Sequence, residues 1–100
     1  MEEKYIYYNN LYDIYGELLT DKERQVFEDY YQEDLSLSEI ADNKSISKSA
    51  VGKMIKTILE KLENLEDKLH IYKTNQELDG LLKEEDINKI KESIRRILNN

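Results

Sequence analysis

No proline interrupts this chain, and its 100 residues hold only three glycines, at Gly16, Gly52 and Gly80. Sheets need turns, and turns are built largely from Gly, Pro, Asn and Asp. Helices need long stretches free of breakers, and the remainder of this chain is rich in Leu, Ile, Glu and Lys, which accept the helix at little cost. An all-α fold follows. At this length the chain forms one domain, 1–100, long enough for a modest core.

Apolar spacing divides the chain into helices. Tyr5, Tyr8, Tyr12, Tyr15 and Leu19 recur at steps of three and four, which predicts an amphipathic helix over about Glu3 to Leu18. Tyrosines at this spacing belong to a core, with their hydroxyls reaching its rim. Thr20-Asp21-Lys22-Glu23 has the form of a capping box and predicts a second helix ending near Gln32. Ser36-Leu37-Ser38-Glu39 repeats the box and predicts a short helix over Leu37 to Lys44. Ser47 then serves as a further N-cap after the turn Ser45-Ile46. Two short helices joined by so tight a turn have the form of a helix-turn-helix, here 36–59.

Beyond the turn, Val51, Ile55, Ile58, Leu62, Leu65, Leu69 and Tyr72 alternate steps of four and three. The pattern predicts one helix from Ser47 to Tyr72, about 39 Å long. Its distal seam, Ile58, Leu62, Leu65, Leu69 and Tyr72, must be covered by something. A second copy of the chain is the expected cover, so that the extension 60–98 serves dimerisation; packing against the first or last helix is the alternative. A break is expected across Asn75, Gly80 and Lys83-Glu84-Glu85-Asp86, followed by a last helix from Ile87 to Leu98 that ends on Arg95-Arg96.

The absence of cysteine rules out disulfides, thiolate catalysis and zinc-thiolate sites. His70 is the only histidine, so no transition-metal site and no cofactor is expected, and His70 itself reads as an exposed side chain. No nucleophile is paired with a base and no glycine loop cradles a phosphate, so the chain is not expected to be an enzyme. No apolar run approaches the ~20 residues that cross a bilayer, and the acidic start Met1-Glu2-Glu3-Lys4 is unlike an export signal. A cytoplasmic protein without membrane contact is expected.

Charge is distributed unevenly. The formal net charge is −7, yet from Asn43 to Leu59 there are four lysines, Lys44, Lys48, Lys53 and Lys56, and no carboxylate. Setting that +4 against −7 leaves −11 for the other residues. In a helix-turn-helix the second helix enters the major groove with its N-terminal residues toward base edges, and the first helix crosses the backbone. Leu37, Ile40, Ala41, Ile46, Val51 and Ile55 are then the inner surface. Lys48, Ser49, Gly52, Lys53 and Lys56 form the outer one. Lys48, Ser49 and Lys53 are expected to reach base edges, Lys44 and Lys56 phosphates, and Ser47 with Ser49 a phosphate at the helix start. No arginine is present there for a bidentate guanine contact.

Asn10-Leu11-Tyr12-Asp13-Ile14-Tyr15, Leu18-Leu19-Thr20, Ser36-Leu37-Ser38-Glu39-Ile40-Ala41 and Ile46-Ser47-Lys48-Ser49-Ala50-Val51, with Ile55-Lys56, resemble the YlxM family of small bacterial proteins. The resemblance spans about Asn10 to Tyr72. It implies a helix-turn-helix like the fourth region of bacterial sigma factors, carrying a long C-terminal helical extension. Genes of that family lie beside those of the signal recognition particle GTPase Ffh and its receptor. The implied function is DNA-binding regulation; the helix-turn-helix and the apolar seam add the expectation of a homodimer on double-stranded DNA. The alternative is an accessory module that binds signal recognition particle protein or RNA through the acidic helices. Lys44, where such motifs bury a large apolar residue, and Gly52, where a longer outer side chain is usual, depart from the pattern.

Overall fold

The structure, a computed structural model, describes residues 2–99; Met1, the first residue of the acidic start, and Asn100 lie outside it. Six α-helices follow one another, α1 (Glu2–Tyr15), α2 (Asp21–Tyr31), α3 (Leu37–Lys44), α4 (Lys48–Leu69), α5 (Ile71–Leu81) and α6 (Ile87–Leu98), with a 3₁₀ turn at Gly16–Leu18, and no strand occurs among the described residues. The first helix thus closes three residues earlier than its apolar stripe suggests. Both capping boxes form as expected. The Glu23 amide donates to Thr20 Oγ1 at 3.2 Å while the Thr20 amide donates to Glu23 Oε1 at 2.9 Å. Ser36 and Glu39 exchange the same pair of bonds at 3.0 and 3.1 Å.

α4 is the rod on which α1, α2 and α3 pack. Leu11, Tyr15, Val26, Phe27, Ile40, Val51, Ile58 and Leu62 are fully buried around it. The tyrosines belong to this core. Tyr12 stacks on Phe27 with centroids 4.3 Å apart and Phe27 on Tyr31 at 4.7 Å. Their hydroxyls reach outward to carboxylates: Tyr12 donates to Glu28, Tyr8 to Glu63 at 3.0 Å and Tyr15 to Glu66 at 2.7 Å. Burial pushes the Tyr31 phenol up to about 12. Gly16 is needed beside this stack, because a Cβ there would lie 3.0 Å from the Tyr12 ring.

Two expectations are corrected. The long helix does not run to Tyr72. It stops at Leu69, and His70, exposed as expected, adopts the left-handed conformation (φ 54°) and hands the chain to α5 within a single residue. Asn75 and Gly80, expected to mark the break, lie inside α5. Glu66 explains the position of the bend. Its carboxylate is buried, and it accepts from the Tyr72 amide at 3.0 Å, the Lys73 amide at 3.0 Å and the Tyr15 hydroxyl. The Tyr15 oxygen in turn accepts from the Ile71 amide at 3.3 Å. Three first-turn N–H groups of α5 are satisfied from α4 and α1, and a carboxylate sits at the positive end of the new helix. Burial alone would push the Glu66 carboxyl up; the bonds from Tyr15, Tyr72 and Lys73 outweigh it and hold the group below the usual carboxylate range.

The seam assigned to a second copy is corrected as well. Ile58 and Leu62 are 1% and 0% exposed within the single chain, covered by α1 and α2. Leu65 and Tyr72 are half-buried against the same core, and Leu69 is 52% exposed. The buried row of α4 runs 51, 55, 58, 62, 66. Leu69 shares the phase of Leu62 but is the last residue of the helix, where the chain turns through His70 into α5. α6 packs chiefly on α5, and the two form a hairpin projecting from the body of a molecule 58 × 23 × 18 Å across.

Candidate nucleic-acid interface

The turn between α3 and α4 is a Schellman motif built without glycine. Ser45 takes the left-handed conformation (φ 56°, ψ 42°); its amide donates to the Asp42 carbonyl at 3.3 Å, and the Ile46 amide donates to the Ala41 carbonyl at 3.1 Å. Ala41, joined to Ile46 by that bond, belongs to the core cluster, and Ile46 packs against it. The pair of orphan carbonyls is thereby satisfied and the angle between the helices is set. Ser47 then caps α4, its Oγ accepting from the Ala50 amide at 3.0 Å. That leaves the Ser47 hydroxyl proton free to donate, and the first-turn amides of Lys48 and Ser49 have no carbonyl ahead of them.

Ile40, Ala41, Val51 and Ile55, four of the six expected inner residues, are buried, and Leu37 and Ile46 pack half-buried beside them. On the outer side Ser47, Lys48, Ser49, Lys53 and Lys56 are exposed. Lys48, Ser49, Gly52, Lys53 and Lys56 fall within an arc of about 140° of α4, with Lys53 opposite the buried row and Lys48 near the phase of Ile55 in the exposed first turn. Lys44 is half-buried at the end of α3, and Gly52 opens onto free space, with nothing within 4 Å of a Cβ built there. One carboxylate beside this surface is engaged elsewhere. Glu23 shares a shallow groove with Lys53, Met54 and Thr57, but its Oε2 accepts from Lys61 at 2.6 Å and its Oε1 from the Thr20 amide. Burial would raise the Glu23 carboxyl; Lys61 and Thr20 overcome that and lower it. Glu23 is therefore not free to neutralise the basic face.

The model of one family, described as "Putative helix-turn-helix protein, YlxM / p13 like", matches residues 2–99. This chain belongs to that family, UPF0122. Its relatives include the UPF0122 protein of Mycoplasma capricolum, 47% identical over 90 residues, which are 90% of this chain and 80% of the relative. The UPF0122 protein of Caldanaerobacter subterraneus is 44% identical over 94% of this chain and 76% of its own length. That of Fusobacterium nucleatum is 34% identical over 98% of this chain and 95% of its own.

For this UPF0122 chain the structure brings Ser47, Lys48, Ser49, Gly52, Lys53 and Lys56 onto one surface, with Lys44 at its edge. It separates the expected seam residues between the core and the base of the hairpin. Sequence reasoning missed Ser45, whose left-handed backbone aims α4, because serine carries no signal for that conformation. It also missed Glu66, which apolar periodicity cannot see. No group of three or more His, Cys, Asp or Glu side chains among the described residues is placed to hold a metal ion. No helix among them is long and apolar enough to cross a membrane.

Proposed function

We propose that this UPF0122 protein is a double-stranded DNA-binding regulator and not an enzyme, and that the N-terminal turns of α4 enter the major groove. The observation that carries the reading is the exposure of Lys48, Lys53 and Lys56 on one face of a helix start, in a segment without a carboxylate, on a molecule that is otherwise acidic. Phosphates attract that face and repel the remainder, which orients the encounter. α3, held behind by Ile40 and Ala41, supplies the second contact with the backbone, with Lys44 at its end. Ser49 and Lys53 face base edges. Gly52 leaves a gap in the reading face, and without arginine there the base-specific share of the binding is small next to the phosphate share.

The test is binding to duplexes selected from random and genomic DNA, followed by fluorescence anisotropy at several salt concentrations. Affinity should fall steeply with salt, and each of Lys48→Ala, Lys53→Ala and Lys56→Ala should reduce the log–log slope by about 1. Affinity indifferent to salt or to these substitutions would overturn the reading. Retained capture of signal recognition particle protein or RNA by the lysine-free variant would replace it with the acidic-module reading, motivated by the −11 outside the basic segment.

A further inference from the structure

The α5–α6 hairpin is two-faced. On α5, Ile71, Leu78 and Leu82 share one helical row, and on α6 the same row recurs as Ile87, Ile94 and Leu98, each sixteen positions on. These side chains are 40%, 44%, 84%, 63%, 41% and 77% exposed in chain order. α5 and α6 are in contact, and the half-buried residues, Thr74, Glu77 and Leu81 on α5 and Ile90, Ser93 and Ile97 on α6, lie on rows rotated about 90° from these. Because the helices run antiparallel and the rotation has the same sense on each, both apolar rows come out on the same side of the hairpin. The other side is polar, with Glu84, Lys89, Glu92 and Arg96 around a shallow groove.

We propose that this face is where a second copy of the chain docks, the two hairpins forming a four-helix bundle about a twofold axis parallel to the helices. Three observations select that occupant. The six side chains leave uncovered a surface on the order of 600 Å², most of the ~800 Å² each partner gives to a stable interface and at the upper end of what monomers expose. α6 is 12 residues long and rests chiefly on α5, so by itself it is a marginal helix. The rims are self-complementary: beyond the apolar row of α5 stand Asn75 and Asp79, and at the matching phase beyond that of α6 stand Lys91 and Arg95. A twofold axis along the bundle lays α5 against α6 of the other copy, antiparallel, with Asp79 against Lys91 and Arg95. A twofold axis across the helices would instead lay α5 on α5 and set like charges together. The first arrangement keeps both lysine-bearing helices at the same end of the assembly.

The proposal is independent of DNA binding and is tested without it. Sedimentation and light scattering of the full chain across micromolar concentrations should give twice the 12.0 kDa chain mass. Leu82→Glu with Ile94→Glu should give the single-chain mass with the helical circular dichroism retained. Asp79→Arg should weaken self-association three- to tenfold, Lys91→Glu with Arg95→Glu likewise, and the three combined should restore it. A single-chain mass for the unsubstituted protein, a dimer indifferent to Leu82→Glu with Ile94→Glu, or tightening by Asp79→Arg would overturn the proposal. The charge exchange decides alone if the apolar variant loses helix, because its three side chains are exposed.

Discussion

The four-helix body and the α5–α6 hairpin are written in the same apolar code and meet opposite fates. In the body, residues three and four apart on α1, α2, α3 and α4 interlock into a core in which eight large side chains are wholly covered. In the hairpin the spacing of Ile87, Ile90, Ile94, Ile97 and Leu98 is the cleanest on the chain, and no residue of α5 or α6 is buried. Periodicity tells a helix which side is apolar, but burial requires a facing element, and the chain supplies α6 with little beyond α5. A well-formed stripe left open is thus a statement about assembly.

The contrast can be broken most forcefully in the body. Leu62→Ala should cost about 3–4 kcal/mol in urea unfolding, through lost transfer energy and the cavity left beside α1 and α2, whereas Leu82→Ala, measured where the chain is monomeric, should cost under ~0.5 kcal/mol. Similar costs at the two sites would erase the distinction.

Next in size is the junction between the two regions. Glu66→Ala strands the amides of Tyr72 and Lys73 and should cost about 2–3 kcal/mol, with loss of amide-exchange protection concentrated in the first turn of α5. Because the Glu66 carboxyl is lowered on folding, its contribution is complete above the unfolded value of about 4.3 and disappears as pH falls through the folded one. Acid unfolding of Glu66→Gln should therefore start from lower stability and lose less of it below pH 4.3 than the parent; parallel curves would remove Glu66 from the bend.

Smaller effects sharpen the picture. Ser45→Gly should stabilise by about 0.5–1 kcal/mol, since a left-handed serine carries a steric cost that glycine does not, and it should leave the lysine face unchanged. Smallest of all, Lys48→Ala, Lys53→Ala and Lys56→Ala should each move stability by no more than ~0.5 kcal/mol in thermal unfolding while still lowering the salt slope of DNA binding. A large loss of stability would make that face structural.

Much of this was legible in the residues. Thr20-Asp21-Lys22-Glu23 and Ser36-Leu37-Ser38-Glu39 announced two helix starts because a capping box is a local exchange of bonds that needs nothing from elsewhere in the chain. The lysine surface was legible for a related reason: on a helix whose inner row is Val51 and Ile55, the phase of Lys48, Lys53 and Lys56 is already determined. The bends were not. All three left-handed positions, Asp34, Ser45 and His70, carry side chains, while no glycine has positive φ. The usual marker of a helix end therefore pointed at Gly80, inside α5, and missed His70.

Local chemistry, then, was enough to specify five helices' worth of stripes and caps, a helix-turn-helix and its basic outer surface, since each depends on neighbours within a turn or two. Tertiary structure alone decided that α4 ends where Glu66 can cap α5 with help from Tyr15, fifty-one residues away. It also decided that Ile58 and Leu62 belong to the monomer while the α5–α6 face stays open. Those outcomes depend on which surfaces meet, and periodicity within one helix contains no information about its partner.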